Sequence, residues 1–180
     1  MIRIFLAGSG LLLVLFLILH LSALVLGLIA PATFELYVTA LHESYWLTIF
    51  EFGLTSVALI HVNLTFIKVI NNYQTGNSAN LTSRRNNLLA VWAARSQPLC
   101  GFFLLSFLLI HIRQLRFPHP PVGKELYTLQ LFLNSPKTLI LYSLGSLALF
   151  LHLFHGIESF QRSLGLLTPK NASLIRGFGR

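Results

Sequence analysis

Four histidines, His20, His61, His111 and His152, each stand inside a long apolar stretch of the chain, and His155 follows one turn after the last. His42 and His119 fall between the stretches. An imidazole is costly in an apolar phase and normally turns toward a protein interior or a cavity. A single one is most simply a hydrogen-bonded interior residue. Four, one to a stretch, point to a ligand set. Two imidazoles facing each other suit haem iron, whose remaining positions are filled by the macrocycle. Such a site is closed to substrate and works by electron transfer. No nucleophile–base set, P-loop or zinc-type cysteine cluster competes, and the lone Cys100 reads as a small buried residue.

The elements that must position these histidines follow from composition. Of 180 residues, 54% are apolar and only 10% charged, with a mean hydropathy of +0.71. A soluble domain carries roughly 25% charge, so an ordinary soluble protein is excluded, as is a disulfide scaffold. The net charge of +8 has no dense basic cluster that would suit nucleic acid. Basic residues instead punctuate apolar runs, as in membrane loops that meet anionic headgroups. Residues 4–34 carry no charge, and between Ser44 and Ile67 the only one is Glu51. Ser96 to Ile112 and Thr138 to Ile157 are again uncharged. A span takes roughly 20 apolar residues. The sequence therefore predicts an all-α transmembrane four-helix bundle, a single domain over residues 1–180, with helices at about 4–29, 46–70, 96–117 and 136–163. The first stretch is too long for the apolar part of a cleaved signal peptide. Asn134-Ser135-Pro136 reads as a start signal, a cap donor followed by proline in the first turn. The segments 30–45 and 113–137 read as polar loops.

Lys and Arg favour the inner side of a membrane. Placing both termini and the second loop inside gives nine basic residues inside (Arg3, Lys68, Arg84, Arg85, Arg95, Arg162, Lys170, Arg176, Arg180) and four outside (Arg113, Arg116, Lys124, Lys137). In that orientation His20 and His111 lie on the order of 9–14 Å below the outer boundary, and His61 and His152 on the order of 14–17 Å from the inner one, at 1.5 Å per residue. The histidines sort into two layers of two, and two stacked haems would form a wire across the bilayer.

Helical faces add detail. Gly145, Ala148, Gly156 and Ser159 share the face of His152 and would leave room for a porphyrin. Lys68, seven residues after His61, is placed to pair with haem propionates, and Ser9 and Ser159 are further candidate contacts. Glu51 lies near the outer end of the second helix, where it either touches water or handles protons at a quinone site.

These residues resemble the single-chain dihaem cytochrome b membrane anchor of bacterial succinate dehydrogenases and fumarate reductases. The resemblance is strongest over 134–165. There His152-Leu153-Phe154-His155-Gly156, then Ser159-Phe160-Gln161 and Leu164-Gly165, are similar to the family's fourth-helix pattern. Arg3, Ala7, Ser9-Gly10, Phe16 and His20-Leu21 resemble its first helix. The third helix matches through Arg95, Gly101 and His111, and the second mainly through His61. The resemblance implies that His152 rather than His155 ligates iron, that His61 and His152 hold the proximal haem, and that His20 and His111 hold the distal one. It implies two b-type haems, menaquinone or another quinone, and a flavoprotein and an iron–sulfur subunit as partners. The setting it implies is the bacterial cytoplasmic membrane. Members usually have a fifth helix, whereas this chain stops at Arg180, so a further small membrane subunit is a candidate to replace it. Arg95 is one residue out of register with the family's arginine.

The expected function is thus electron relay between an iron–sulfur subunit and quinone, with dicarboxylate chemistry on another subunit. Two alternatives stay open at this point. One is a dihaem carrier, or the anchor of a different dehydrogenase. The other is a non-redox membrane protein with structural histidines.

Overall fold

A computed structural model describes residues 2–75, 88–117 and 120–165. Arg84, Arg85, Lys170, Arg176 and Arg180 of the charge count, and the loop histidine His119, lie outside the described residues. Six helices follow in order: α1 (Ile2–Ile29), α2 (Pro31–Glu43), α3 (Tyr45–Gln74), α4 (Leu88–Leu115), α5 (Glu125–Leu133) and α6 (Pro136–Ser163). No strand occurs among the described residues. α1, α3, α6 and the Val91–Leu115 part of α4 are long and apolar enough to cross a membrane. The chain is an all-α, multi-pass membrane bundle of four spanning helices.

Local chemistry sets most helix boundaries. Pro31 disfavours helical backbone at Ala30, which leaves the helix at φ −145°, ψ 71°. Pro31 then opens α2 at a position where its missing N–H has no helical partner to lose. Ser44 closes α2 and opens α3, its hydroxyl accepting from the Trp46 N–H at 3.3 Å. α6 starts at Pro136 and ends at Ser163, the expected bounds. The expected side-chain cap is not made there, because the Ser135 hydroxyl bonds no α6 amide.

Three expectations about the elements are corrected. The segment 30–45 is mostly helix α2, since Ala32, Glu35, Leu36, Ala40 and Leu41 favour helix and Phe34 finds a buried seat against Gly27 of α1. The segment 113–137 contains α5, whose first amides are capped by Glu35. α4 begins at Leu88, well before 96, because Leu88–Arg95 are mostly good helix formers and Pro98 is held inside the helix.

The spanning helices pack as two couples, α4 on α6 and α1 on α3, with α1 also meeting α6. Gly145 sets the α4–α6 approach: a Cβ there would lie 2.8 Å from the Phe107 ring. The space at Gly145 is thus taken by Phe107 and is not room for a porphyrin, which corrects that part of the sequence reading. Short helices α2 and α5 pack on each other across one end of the bundle, the cap end. Large apolar side chains such as Leu19, Phe52, Phe102 and Leu147 are exposed, as lipid-facing positions require. Among the described residues no large side chain is fully buried. Imidazoles, rather than a dense apolar core, meet between the two helix couples.

Candidate functional site

His20 on α1 meets His111 on α4, ring centres 5.9 Å apart and planes at 88°. His61 on α3 meets His152 on α6, ring centres 6.4 Å apart and planes at 65°. Each imidazole couple therefore bridges the two helix couples. The ring that faces His61 in this contact is that of His152. Among the described residues no hydrogen bond joins the two rings of either couple.

The two layers are well separated. Ser9 marks the level of His61 on α1, and His20 follows eleven residues later, about 16 Å along the axis. Tyr142 marks the level of His111 on α6, and His152 follows ten residues later, about 15 Å away. The two independent measures agree.

Hydrogen bonding decides which nitrogen each ring presents. The Ser9 hydroxyl donates to the Leu6 carbonyl at 3.1 Å and lies 3.2 Å from His61 Nδ1. Its single proton goes to Leu6, so both bonds coexist when Nδ1–H is the donor to Ser9. The same logic holds at the other layer. The Tyr142 hydroxyl lies 3.0 Å from His111 Nδ1 and 3.4 Å from Gln114 Oε1, so it accepts from Nδ1–H when its own proton goes to Gln114. In the tautomer with Nδ1–H donating, Nε2 of either ring keeps its lone pair, the form a metal needs, and the Nδ1–H bond fixes ring orientation. His20 is positioned differently, by stacking on Phe16 at 5.6 Å. At His152, Nδ1 is buried without a hydrogen-bond partner, as is Oε1 of Gln97, whose Nε2 donates to the His152 carbonyl at 3.4 Å.

Close backbone approach frames the proximal couple. A Cβ at Gly10 would come within 3.3 Å of the His61 ring, and one at Gly101 within 3.8 Å of the His152 ring. Both glycines therefore keep the ring faces clear of side chains.

No family model matches the chain, and no curated protein or solved structure matches it. The site's chemistry must be argued from its own atoms. Among the described residues no group of three or more His, Cys, Asp or Glu side chains is placed to hold a metal ion. Two nitrogens alone cannot close a tetrahedral metal site, but they are the full protein share of a six-coordinate haem. The spacing agrees. Two metal–imidazole bonds of about 2 Å each, plus about 1.1 Å from each nitrogen to its ring centre, put the ring centres about 6 Å apart. Both couples stand near that value. The donor set and the tied Nδ1 atoms fit a bis-imidazole haem.

The remaining expected residues sort as follows. Ser9 is buried against His61 and orients that ring, so its hydroxyl is already committed and is not free for a propionate. Lys68 has Arg3 as its charged neighbour, and Arg3 also lines a groove with Ile2, Ile4 and Ser163. That end of the bundle, near the proximal couple, is therefore cationic. Ser159 is half-buried on α6, and its carbonyl accepts from the Ser163 hydroxyl. Glu51 does not stand alone: Arg116 binds both its oxygens, at 2.8 and 3.1 Å. Tyr142, Gln114, Gln97 and Gly10 were not singled out from sequence as residues around the histidines. Their roles depend on which helix neighbours which, and the chain order does not state that.

Proposed function

We propose that the chain is the cytochrome b membrane anchor of a succinate:quinone oxidoreductase and holds two bis-histidine b-type haems. The observation that carries this reading is the pair of imidazole couples, each set across two helices at about the spacing of axial ligands. When bound, the haems would supply reversible one-electron transfer. His61 and His152 would hold the proximal group, and His20 and His111 the distal one. Ser9 and Tyr142 keep His61 and His111 in the ligating tautomer. The lysine and arginine near the proximal couple, Lys68 and Arg3, offer positive charge to carboxylate groups there.

The basic count supports an orientation with both termini on the cytoplasmic side of a bacterial membrane. The proximal end would then receive the iron–sulfur and flavoprotein subunits, and the flavoprotein would carry out the dicarboxylate chemistry. Menaquinone would exchange electrons near the distal couple. The Glu51–Arg116 pair lies at the distal end, where it could border a quinone head group.

The test is a reduced-minus-oxidised spectrum of the purified chain, followed by co-purification from the source membrane. A sharp α band of b-type haem together with a flavin-bearing partner is expected. A haem band without that partner would favour a stand-alone electron carrier. No haem band would overturn the proposal.

A further inference from the structure

The cap end carries a second cluster of titratable groups that the haem reading does not use. Glu35 of α2 accepts from the amides of Leu126 at 3.0 Å and Glu125 at 3.3 Å, closing the start of α5. Glu125 itself is buried, with 9% of its surface exposed. Neither of its oxygens accepts a hydrogen bond from a fixed donor, and His42 Nδ1 stands 3.5 Å from Oε1. A buried carboxylate beside a second carboxyl, with no N–H or hydroxyl donor of its own, calls for a proton.

Of the charged residues on the packed elements, Lys124 precedes Glu125, Glu43 follows His42, and Lys137 lies in the first turn of α6. Glu51 and Arg116 are bound to each other, and Arg113 donates to the Phe117 carbonyl. α1 has no charged residue at this end. Among the described residues, Glu35, its own amide and His42 act on Glu125. Burial pushes the Glu35 carboxyl up, and Glu125 beside it pushes it further. Burial also pushes Glu125 up, but the nearby Glu35 carboxyl, its own backbone amide and His42 outweigh this and hold Glu125 down. The two values move apart, as for two carboxyls that share one proton.

We propose that Glu35, Glu125 and His42 form a proton-binding site at the cap end, in which the two glutamates hold one proton and His42 exchanges it with water. His42 is placed for this exchange, since its side chain is 21% exposed while that of Glu125 is 8% exposed. The site lies close above the distal imidazoles. Leu126 packs at Gly27, seven residues beyond His20, which is about 10 Å along α1. On the haem reading, which this inference needs for its purpose and not for its existence, the site takes up or releases protons where a quinone would exchange them.

The experiment is an infrared pH titration of the full chain in lipid nanodiscs, following the C=O stretch of neutral carboxyl groups. The chain has only five acidic side chains, so single bands can be assigned by variants. A neutral-carboxyl band is expected to persist to higher pH than that of an ordinary glutamic acid. Glu35→Gln should remove it, Glu125→Gln should move its titration to lower pH, and Glu51→Gln should leave it unchanged. Absence of such a band in the native chain, or a titration unaltered by Glu125→Gln, would overturn the proposal. If Glu35→Gln fails to fold for want of its cap, Glu125→Gln still decides, because the cap is retained. The readout does not require haem, so its failure is separable from failure of the haem reading.

Discussion

His111 Nδ1 lies 3.0 Å from the hydroxyl of Tyr142, and that hydroxyl in turn reaches Gln114 Oε1. With Nδ1–H of His111 donating into this chain, Nε2 keeps its lone pair. Tyr142→Phe removes the acceptor and keeps the ring. An outer partner of this kind is typically worth about 10–100-fold in metal affinity. Tyr142→Phe is expected to weaken retention of the distal haem by about that factor and to leave the proximal one in place. The midpoint potential of any remaining distal haem should rise, since a less basic imidazole stabilises ferric iron less. A redox titration of the purified variant checks both effects.

Gly10 offers the corresponding test at the other layer. A Cβ at this position would sit 3.3 Å from the His61 ring, so the ring must give by a few tenths of an ångström. Gly10→Ala should lower proximal haem occupancy modestly, and Gly10→Val should abolish it. The distal haem should be spared in both, as measured by the haem-to-protein ratio.

Gly145→Ala addresses the scaffold. The added methyl meets Phe107 at 2.8 Å, and overpacking of this kind costs about 1–3 kcal/mol. Phe107 also stacks on His111 at 5.5 Å, so the distal layer should loosen with the α4–α6 contact. A lower unfolding midpoint in detergent, together with broadening confined to the distal haem spectrum, is the expected outcome.

Glu51→Gln breaks the bridge from α3 to Arg116. Both side chains are about one-third exposed, so water screens the pair and the loss should be about 1 kcal/mol or less. Thermal unfolding is expected to shift little, while quinone reactivity, if the distal end binds the head group, should change more.

The glutamate pair gives the cap end a pH dependence with a definite sign. Glu35 is raised in the folded chain, so its contribution is full at acid pH and is lost as pH rises through its folded value. Glu125 is lowered, so its contribution is present above the unfolded value and is lost as pH falls through its folded value. The α2–α5 contact should therefore be tightest between the two and weaken on either side. Hydrogen exchange at the Leu126 amide, corrected for intrinsic base catalysis, should show a minimum in that interval. Glu125→Gln should flatten it.

The sequence showed the parts of this architecture that depend on local chemistry. The four spans follow from long apolar runs that hold one charge among them, Glu51, and the start of α6 from Pro136. The two histidine layers follow from counting along helices of alternating direction, which needs no tertiary contact. The short helices were hidden because they depend on contacts made elsewhere: α2 is seated by Phe34 against Gly27, and α5 is capped by a glutamate ninety residues away in the chain. The partners of the imidazoles were hidden for the same reason. Ser9 and Tyr142 each sit on a helix other than the histidine they orient. Gly145 was misread because a small residue looks the same whether it faces a cofactor or the ring of Phe107.

The haem-to-protein ratio of the purified chain, measured for the native sequence and for His20→Ala and His61→Ala, tests the central proposal most directly. Two haems are expected in the native chain and one in each variant, with the surviving spectrum differing between the two. A native ratio of zero, or folded variants that retain both haems, would contradict it.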